Sequence, residues 1–279
     1  MGKRVSLKQL LQRDGIVVAP GCHDALGAKV IESAGFDAVY MTGNGTSASA
    51  IGKPDLGFLT MTEMVSRARG IVSAVDIPVI SDADTGYGNR NNVIRTVQEY
   101  EASGVSAIHL EDQVTPKKCG AMSGIELISI EEHVDKIQAA IQARKDENFL
   151  IIGRSDARGT KGLAEAIERG KAYAAAGADL ILIEMLESVD EMKEVARKID
   201  APLMFNYVEH TKIPNLTIQQ FQDLGFKLLA YPLSSTFYYA KTMMDLMRTL
   251  KETGSTESFQ EQMLKIHDYE KFLGIEKYR

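Results

Sequence analysis

Residues 103–110 read Ser-Gly-Val-Ser-Ala-Ile-His-Leu, and the same arrangement returns three more times. It appears as Ala-Gly-Phe-Asp-Ala-Val-Tyr-Met at 34–41, Ala-Gly-Ala-Asp-Leu-Ile-Leu-Ile at 176–183 and Leu-Gly-Phe-Lys-Leu-Leu-Ala-Tyr at 224–231. The glycines are Gly35, Gly104, Gly177 and Gly225. Each stands where a helix should end, because the residue after a helix favours the left-handed conformation that glycine reaches cheaply. Helix end, glycine and short apolar run, repeated, is what an alternating β/α array writes into its sequence.

Outward from these repeats, eight candidate strands fall at 16–19, 38–41, 79–81, 107–110, 150–153, 180–183, 203–205 and 228–231. Most are continuous apolar runs, as expected of parallel strands covered on both faces. Helical patterns lie between them at 61–74, 91–103, 130–144, 162–176 and 188–199. Eight such units in about 230 residues predict an α/β chain folded as a (β/α)8 TIM barrel, one domain over 1–279. An open doubly wound sheet is the alternative, but no GxGxxG or GxxxxGK[ST] phosphate loop follows the first strand. From Ser234 onward the pattern is helical with a break in 252–258, more helix than one barrel unit needs. The surplus is expected to pack on a neighbouring subunit.

The 279 residues are 44% hydrophobic and 25% charged, which excludes a disordered or collagen-like chain. A net charge of -6 without any basic block argues against a nucleic-acid partner. Two cysteines, Cys22 and Cys119, do not make a disulfide framework. No run approaches 18 apolar residues, so no membrane span is expected. The opening residues lack the apolar core of a signal peptide, and Met1-Gly2 matches a myristoylation pattern only weakly beside Lys3-Arg4. The expected compartment is a reducing cytoplasm.

In a barrel, chemistry sits at the carboxyl ends of the strands, and here nearly every strand ends in polar residues. The third runs into Asp82-Ala83-Asp84-Thr85-Gly86-Tyr87-Gly88, the fourth into Glu111-Asp112 and the fifth into Arg154-Ser155-Asp156. The sixth ends at Glu184, the seventh at Asn206 and the second at Tyr40, before Thr42-Gly43-Asn44. Converging carboxylates repel unless a cation lies among them. Asp82, Asp84 and Glu111 are hard oxygen donors suited to Mg²⁺ or Mn²⁺, and Asp55 could be a fourth acid. His23 and His109 read as structural, with His23 a lesser candidate for lining the mouth. Arg154 suits a bidentate grip on a carboxylate, or an internal bridge to Glu184 or Asp156; the two are compatible. Cys119 lies in a Gly-punctuated loop after Lys117-Lys118, where two lysines should lower its pKa and two glycines let it move. Cys22 reads as a packing residue.

With these residues in place, the sequence resembles the isocitrate lyase and phosphoenolpyruvate mutase superfamily over nearly its whole length. The specific pieces are Asp82–Gly88, Leu110-Glu111-Asp112-Gln113 and Lys117-Lys118-Cys119-Gly120. Gly52-Lys53-Pro54-Asp55 and Gly57-Phe58-Leu59-Thr60 look like the branch of methylisocitrate lyase, dimethylmalate lyase and petal death protein. The resemblance implies a barrel whose last helix is exchanged between subunits, in a homotetramer built as a dimer of dimers. It implies Mg²⁺ held by Asp82, Asp84, Glu111 and Asp55, often through water. Tyr40, Thr42, Gly43 and Asn44 match the segment that cradles an α-keto acid, and Arg154, Glu184 and Asn206 match further substrate-pocket positions. Cys119 matches the lyase cysteine. The loop departs from the family pattern at Ala121 and Ile125, where a histidine and a basic residue are usual.

The expected reaction is metal-dependent cleavage of a carbon–carbon bond in a 2-hydroxy di- or tricarboxylate, a small-molecule substrate of 2-methylisocitrate or alkylmalate type. An α-keto acid and a carboxylate leave, with Cys119 as general acid, Tyr40 as candidate base and Arg154 holding negative charge. Oxaloacetate decarboxylation, phosphonopyruvate chemistry and a degenerate anion-binding barrel are the alternatives.

Overall fold

The computed structural model describes residues 6–279; the myristoylation-like match at the first five residues lies outside them. Eight parallel strands close into a barrel in chain order: β1 Val17–Cys22, β2 Val39–Met41, β3 Val79–Asp82, β4 Ala107–Glu111, β5 Leu150–Ser155, β6 Leu180–Ile183, β7 Leu203–Asn206 and β8 Phe226–Tyr231. The helices are α1 Leu7–Leu11, α2 Ala25–Ser33, α3 Gly43–Ile51, α4 Met61–Ala74, α5 Arg90–Ser103, α6 Ile130–Ala143, α7 Ala157–Lys161, α8 Leu163–Ala175, α9 Val189–Lys198, α10 Ile218–Asp223, α11 Ser234–Thr253 and α12 Ile266–Phe272. The closed sheet excludes the doubly wound alternative.

Local chemistry sets the helix ends. Thr60 and Glu63 form a reciprocal capping box at the start of α4, and Thr217 with Gln220 does the same for α10, satisfying orphan N–H groups. The four repeat glycines have φ of 86, 88, 101 and 96°, the left-handed region that ends a helix and turns the chain into the next strand.

Each strand buries two faces. Ala38 and Tyr40, Ile80, Ala107, Leu150 and Ile152, Leu180 and Leu182, Met204, and Leu228 and Ala230 fill the barrel, and Leu7 and Leu10 of α1 join the same cluster. The alternating residues, such as Ile108, Leu110, Ile151, Ile181, Ile183 and Phe205, pack outward among the helices. Each such side chain stabilises the fold by about 1.5–3 kcal/mol when fully buried. This alternation decides the site. Asp82, His109, Glu111, Arg154, Glu184 and Asn206 share the parity of the inward residues, so their side chains enter the barrel mouth.

Two compact units make up the chain, one ending at Thr236 and one spanning Phe237–Arg279. α11 ends at Thr253, Gly254 adopts φ 71°, and a 3-10 turn follows at Glu257–Gln262, where the break in helical pattern was expected. Among the described residues no helix is long and apolar enough to cross a membrane.

Candidate active site

Six buried carboxylates, Asp55, Asp82, Asp84, Glu111, Asp156 and Glu184, gather with two buried cations, Lys117 and Arg154. That imbalance governs the electrostatics. Burial drives Glu111 well above the usual carboxylate range, with Arg154 and Lys117 opposing it only in part. Burial likewise raises Glu184 and Asp156. Asp82 goes the other way: burial opposes its charge, yet His109, Lys117 and Arg154 together hold it down to about 2.

β3 and β4 lie side by side with Asp82 in register with His109. Ligand atoms of Asp82, His109 and Glu111 all lie within 4.8 Å of one another. Both oxygens of Glu111 lack a hydrogen-bond partner, although Arg154 Nη1 approaches to 3.2 Å. A buried carboxylate left in this state is costly unless a cation meets it. The donor set therefore fits a hard divalent ion such as Mg²⁺ or Mn²⁺.

Lys117 stands among the four expected acids. Its Nζ lies 2.7 Å from Asp55 and 3.0 Å from Asp84. Those two acids are thus joined by an ammonium group, while Asp82 and Glu111 face His109. Burial, with Asp82 and Asp55 nearby, still pushes Asp84 up to about 6 despite Lys117. Asp84 has φ 47° and donates its N–H to Asp82 Oδ1 at 2.9 Å. That is the strained backbone often found at functional sites.

His109, read from the sequence as structural, lies beside Tyr40 and Asp82. It is fully buried, its Nε2 lies 2.6 Å from the Tyr40 hydroxyl, and it is 3.7 Å from Asp82. Burial pushes its imidazole down to about 4, so it is neutral near pH 7. In the Nδ1–H tautomer the phenol donates to Nε2. Burial also holds the Tyr40 phenol well above its ordinary pKa, so Tyr40 is not a free phenolate base. The available signal was parity: His109 alternates with Ala107 and Glu111. His23, by contrast, shares a hydrogen bond of 3.1 Å with Thr236 and does not line the mouth.

Arg154 is held by Asp156, with Nε and Nη2 donating at 3.1 and 2.8 Å. Asp156 is in turn fixed through Asp112, which accepts its backbone N–H at 2.9 Å. Asp112 also accepts from Ser155, Arg169 and Tyr173 at 2.8, 3.0 and 2.7 Å. Glu184 lies 3.9 Å from Arg154 and accepts from Asn206 Nδ2 at 3.0 Å. On the opposite side, Thr42 caps α3, whose first residues, Gly43 and Asn44, border the mouth. A Cβ on Gly43 would lie 2.2 Å from Asp82, so only glycine lets this helix start come so close. Amide N–H groups at a helix start favour an anion.

Cys119 closes the site from the loop. Asn44 Nδ2 donates to its Sγ at 3.6 Å, and its backbone N–H donates to Asp55 at 3.0 Å. The two preceding lysines do not activate it: Lys117 is taken by the acids, and Lys118 Nζ donates to the Gly124 carbonyl at 2.6 Å. Burial instead raises the thiol above its ordinary pKa, which overturns the thiolate expectation and leaves a protonated thiol. Cys22 is buried, its thiol pushed up to about 12 mainly by burial, as a packing residue should be. The loop residues Cys119, Gly120 and Ala121 line the cavity at the mouth together with Asp55, Asp82 and Arg154. A groove of about 580 Å³ between α2, α3 and α4 shares no lining residue with the mouth.

Residues 7–251 match the phosphoenolpyruvate phosphomutase family. The 2,3-dimethylmalate lyase of Eubacterium barkeri is 49% identical over 279 residues, covering 100% of this chain and 96% of that protein. An oxaloacetate acetylhydrolase solved with the inhibitor 3,3-difluorooxalacetate has a TM-score of 0.93 at 32% identity, covering 98% of this chain and 93% of that one. A phosphonopyruvate hydrolase solved with oxalate and Mg²⁺ has a TM-score of 0.90 at 32% identity, covering 100% and 97%.

Proposed function

The chain belongs to the phosphoenolpyruvate phosphomutase family, and on that footing we propose that it is a metal-dependent lyase. It cleaves the carbon–carbon bond of a 2-hydroxy dicarboxylate, releasing an α-keto acid and a carboxylate. The observation that carries this reading is Cys119, a protonated thiol lining the same cavity as Asp82, Tyr40 and Arg154.

Asp82 and Glu111 would hold Mg²⁺ or Mn²⁺, with Asp84 and Asp55 in outer positions. When bound, the ion supplies Lewis-acid polarisation of the substrate's α-oxygen and adjacent carboxylate. Tyr40 takes the substrate hydroxyl proton as it passes its own to His109 Nε2, so the base is the pair and not the phenol alone. As the C2–C3 bond breaks, its electron pair goes to C3, which is conjugated with its carboxylate. Cys119 gives its proton to C3, and solvent restores the thiol as His109 loses the proton it received. Arg154, oriented by Asp156, and the start of α3 hold the carboxylates.

The rim supports an alkyl-substituted malate over a tricarboxylate. Ala121, Met185, Val208, Pro232 and Leu233 line it, and both buried cations already face carboxylates. A third carboxylate would find no charge of its own, whereas alkyl groups find apolar surface. A Mg²⁺-supplemented panel of 2,3-dimethylmalate, other alkylmalates, 2-methylisocitrate, oxaloacetate and phosphonopyruvate, read by keto-acid release or consumption, tests this. The alkylmalates should give the highest kcat/KM; a better oxaloacetate or phosphonopyruvate reaction would replace the lyase reading.

The protein acts as a homotetramer in this reading. What supports it is α11, none of whose residues is buried and on which Phe237, Tyr238, Met244 and Met247 are exposed. Large apolar side chains exposed along one helix favour association. Two free cysteines suit a reducing cytoplasm.

A further inference from the structure

We propose that Gln113 is a positioning residue whose side-chain amide templates the closed Cys119 loop. Gln113 follows Glu111-Asp112 and is 1% exposed. Its Oε1 accepts the Lys118 N–H at 2.9 Å, and its Nε2 donates to the Lys118 carbonyl at 2.9 Å. The side chain thus imitates a neighbouring strand, satisfying both backbone groups of one loop residue. The carbonyl of Lys118 and the N–H of Cys119 belong to one planar peptide unit. That unit is held at one end by Gln113 and at the other by the Asp55 carbonyl, at 3.0 Å. Fixing both ends fixes the direction in which the Cys119 side chain leaves the backbone.

Gln113 itself is anchored independently of the loop tip. It forms an antiparallel bridge with Leu127. On either side Val114 N–H donates to Glu126 at 2.8 Å and Ile128 N–H to Asp112 at 3.0 Å. This short paired neck closes the loop at its base. Gln113 directly follows Asp112, whose carboxylate accepts the Asp156 N–H at 2.9 Å, so the template sits beside the residues that orient Arg154. The side-chain amide supplies this because the template needs one acceptor and one donor on a planar group.

The proposal rests on the lyase reading for its catalytic meaning, but its test does not need turnover. The rate of Cys119 alkylation by iodoacetamide at one fixed pH reports how often the loop uncovers the thiol; Cys22→Ser in every variant leaves one thiol to label. Trypsin cleavage after Lys117 or Lys118 is a second report on the same opening. Gln113→Ala should raise both rates roughly ten- to a hundredfold, the effect of losing two hydrogen bonds from the closed state. On the best substrate kcat should fall while KM changes less, because the acid is misplaced and the binding floor is intact. Gln113→Glu keeps the acceptor, loses the donor to the Lys118 carbonyl and adds a buried charge; it should open the loop as well and serves if the alanine variant does not fold. Unchanged alkylation and cleavage in a folded variant would overturn the template role, even if activity fell. Faster alkylation in a protein inactive on every acid would uphold it while removing the lyase reading.

Discussion

The Tyr40 hydroxyl and His109 Nε2 lie 2.6 Å apart at the inner end of the barrel mouth, with neither group charged near neutral pH. A neutral pair of this kind passes a proton through two hydrogen bonds without creating a buried phenolate. Tyr40→Phe removes the relay and keeps the ring. It should lower kcat roughly 10²–10⁴-fold, the usual contribution of general acid–base catalysis, with the melting temperature little changed. Steady-state kinetics at saturating Mg²⁺ decides, and a wild-type kcat would exclude the pair as base.

Cys119 should alkylate as a raised thiol. Its pKa lies above the ordinary 9.0 because burial opposes the thiolate. The acid form is therefore present below that value and lost only as pH rises through it. The iodoacetamide rate of the Cys22→Ser protein, followed from pH 6 to 10.5, should keep climbing past pH 9; a plateau below about pH 8 would mean a thiolate. Cys119→Ser should slow carbon–carbon cleavage strongly, because a hydroxyl is a far weaker acid, yet leave substrate binding nearly intact.

Removing the metal should stop turnover, and Mg²⁺ or Mn²⁺ should restore it. Asp82→Asn should weaken Mn²⁺ binding by more than about tenfold in a titration followed by electron paramagnetic resonance, with circular dichroism unchanged. Asp84→Asn should weaken it less, since Lys117 stands 3.0 Å from that carboxylate. Equal losses would place Asp84 in the inner shell.

Gly120→Ala should prop the loop open. A Cβ there would lie 2.7 Å from Asp156 and Glu184 and 2.8 Å from Arg154, and those groups are held by charge and cannot retreat easily. The variant should lose kcat by one to two orders of magnitude and alkylate faster at Cys119. A silent substitution would mean that the loop need not seat against Arg154 during the reaction.

In solution the protein should sediment as a tetramer at micromolar concentration. Met244→Glu and Met247→Glu, placed on the exposed face of α11, should shift it to smaller species by burying charge at the contact. A monomeric wild type would remove the assembly reading.

The barrel was legible because its signals are local. Gly104 must turn the chain at its own position, and Ile108 and Leu110 are apolar whichever helix they meet. The acids at the ends of β3 and β4 could be placed at the mouth for the same reason: strand polarity carries them there. Even the inward direction of His109 follows from counting by twos from Ala107, a step the residue's frequent structural role concealed. What no local pattern carries is which charges meet across the barrel. Lys117 and Lys118 precede the same thiol in sequence, yet one reaches Asp55 and Asp84 while the other turns back to Gly124. Burial then sets the Cys119 pKa in the direction opposite to that its neighbours in sequence imply. The pairing of Gln113 with Lys118 is of the same kind, spanning only five residues. It exists because the neck at Leu127 folds the loop back, and that closure belongs to the tertiary structure.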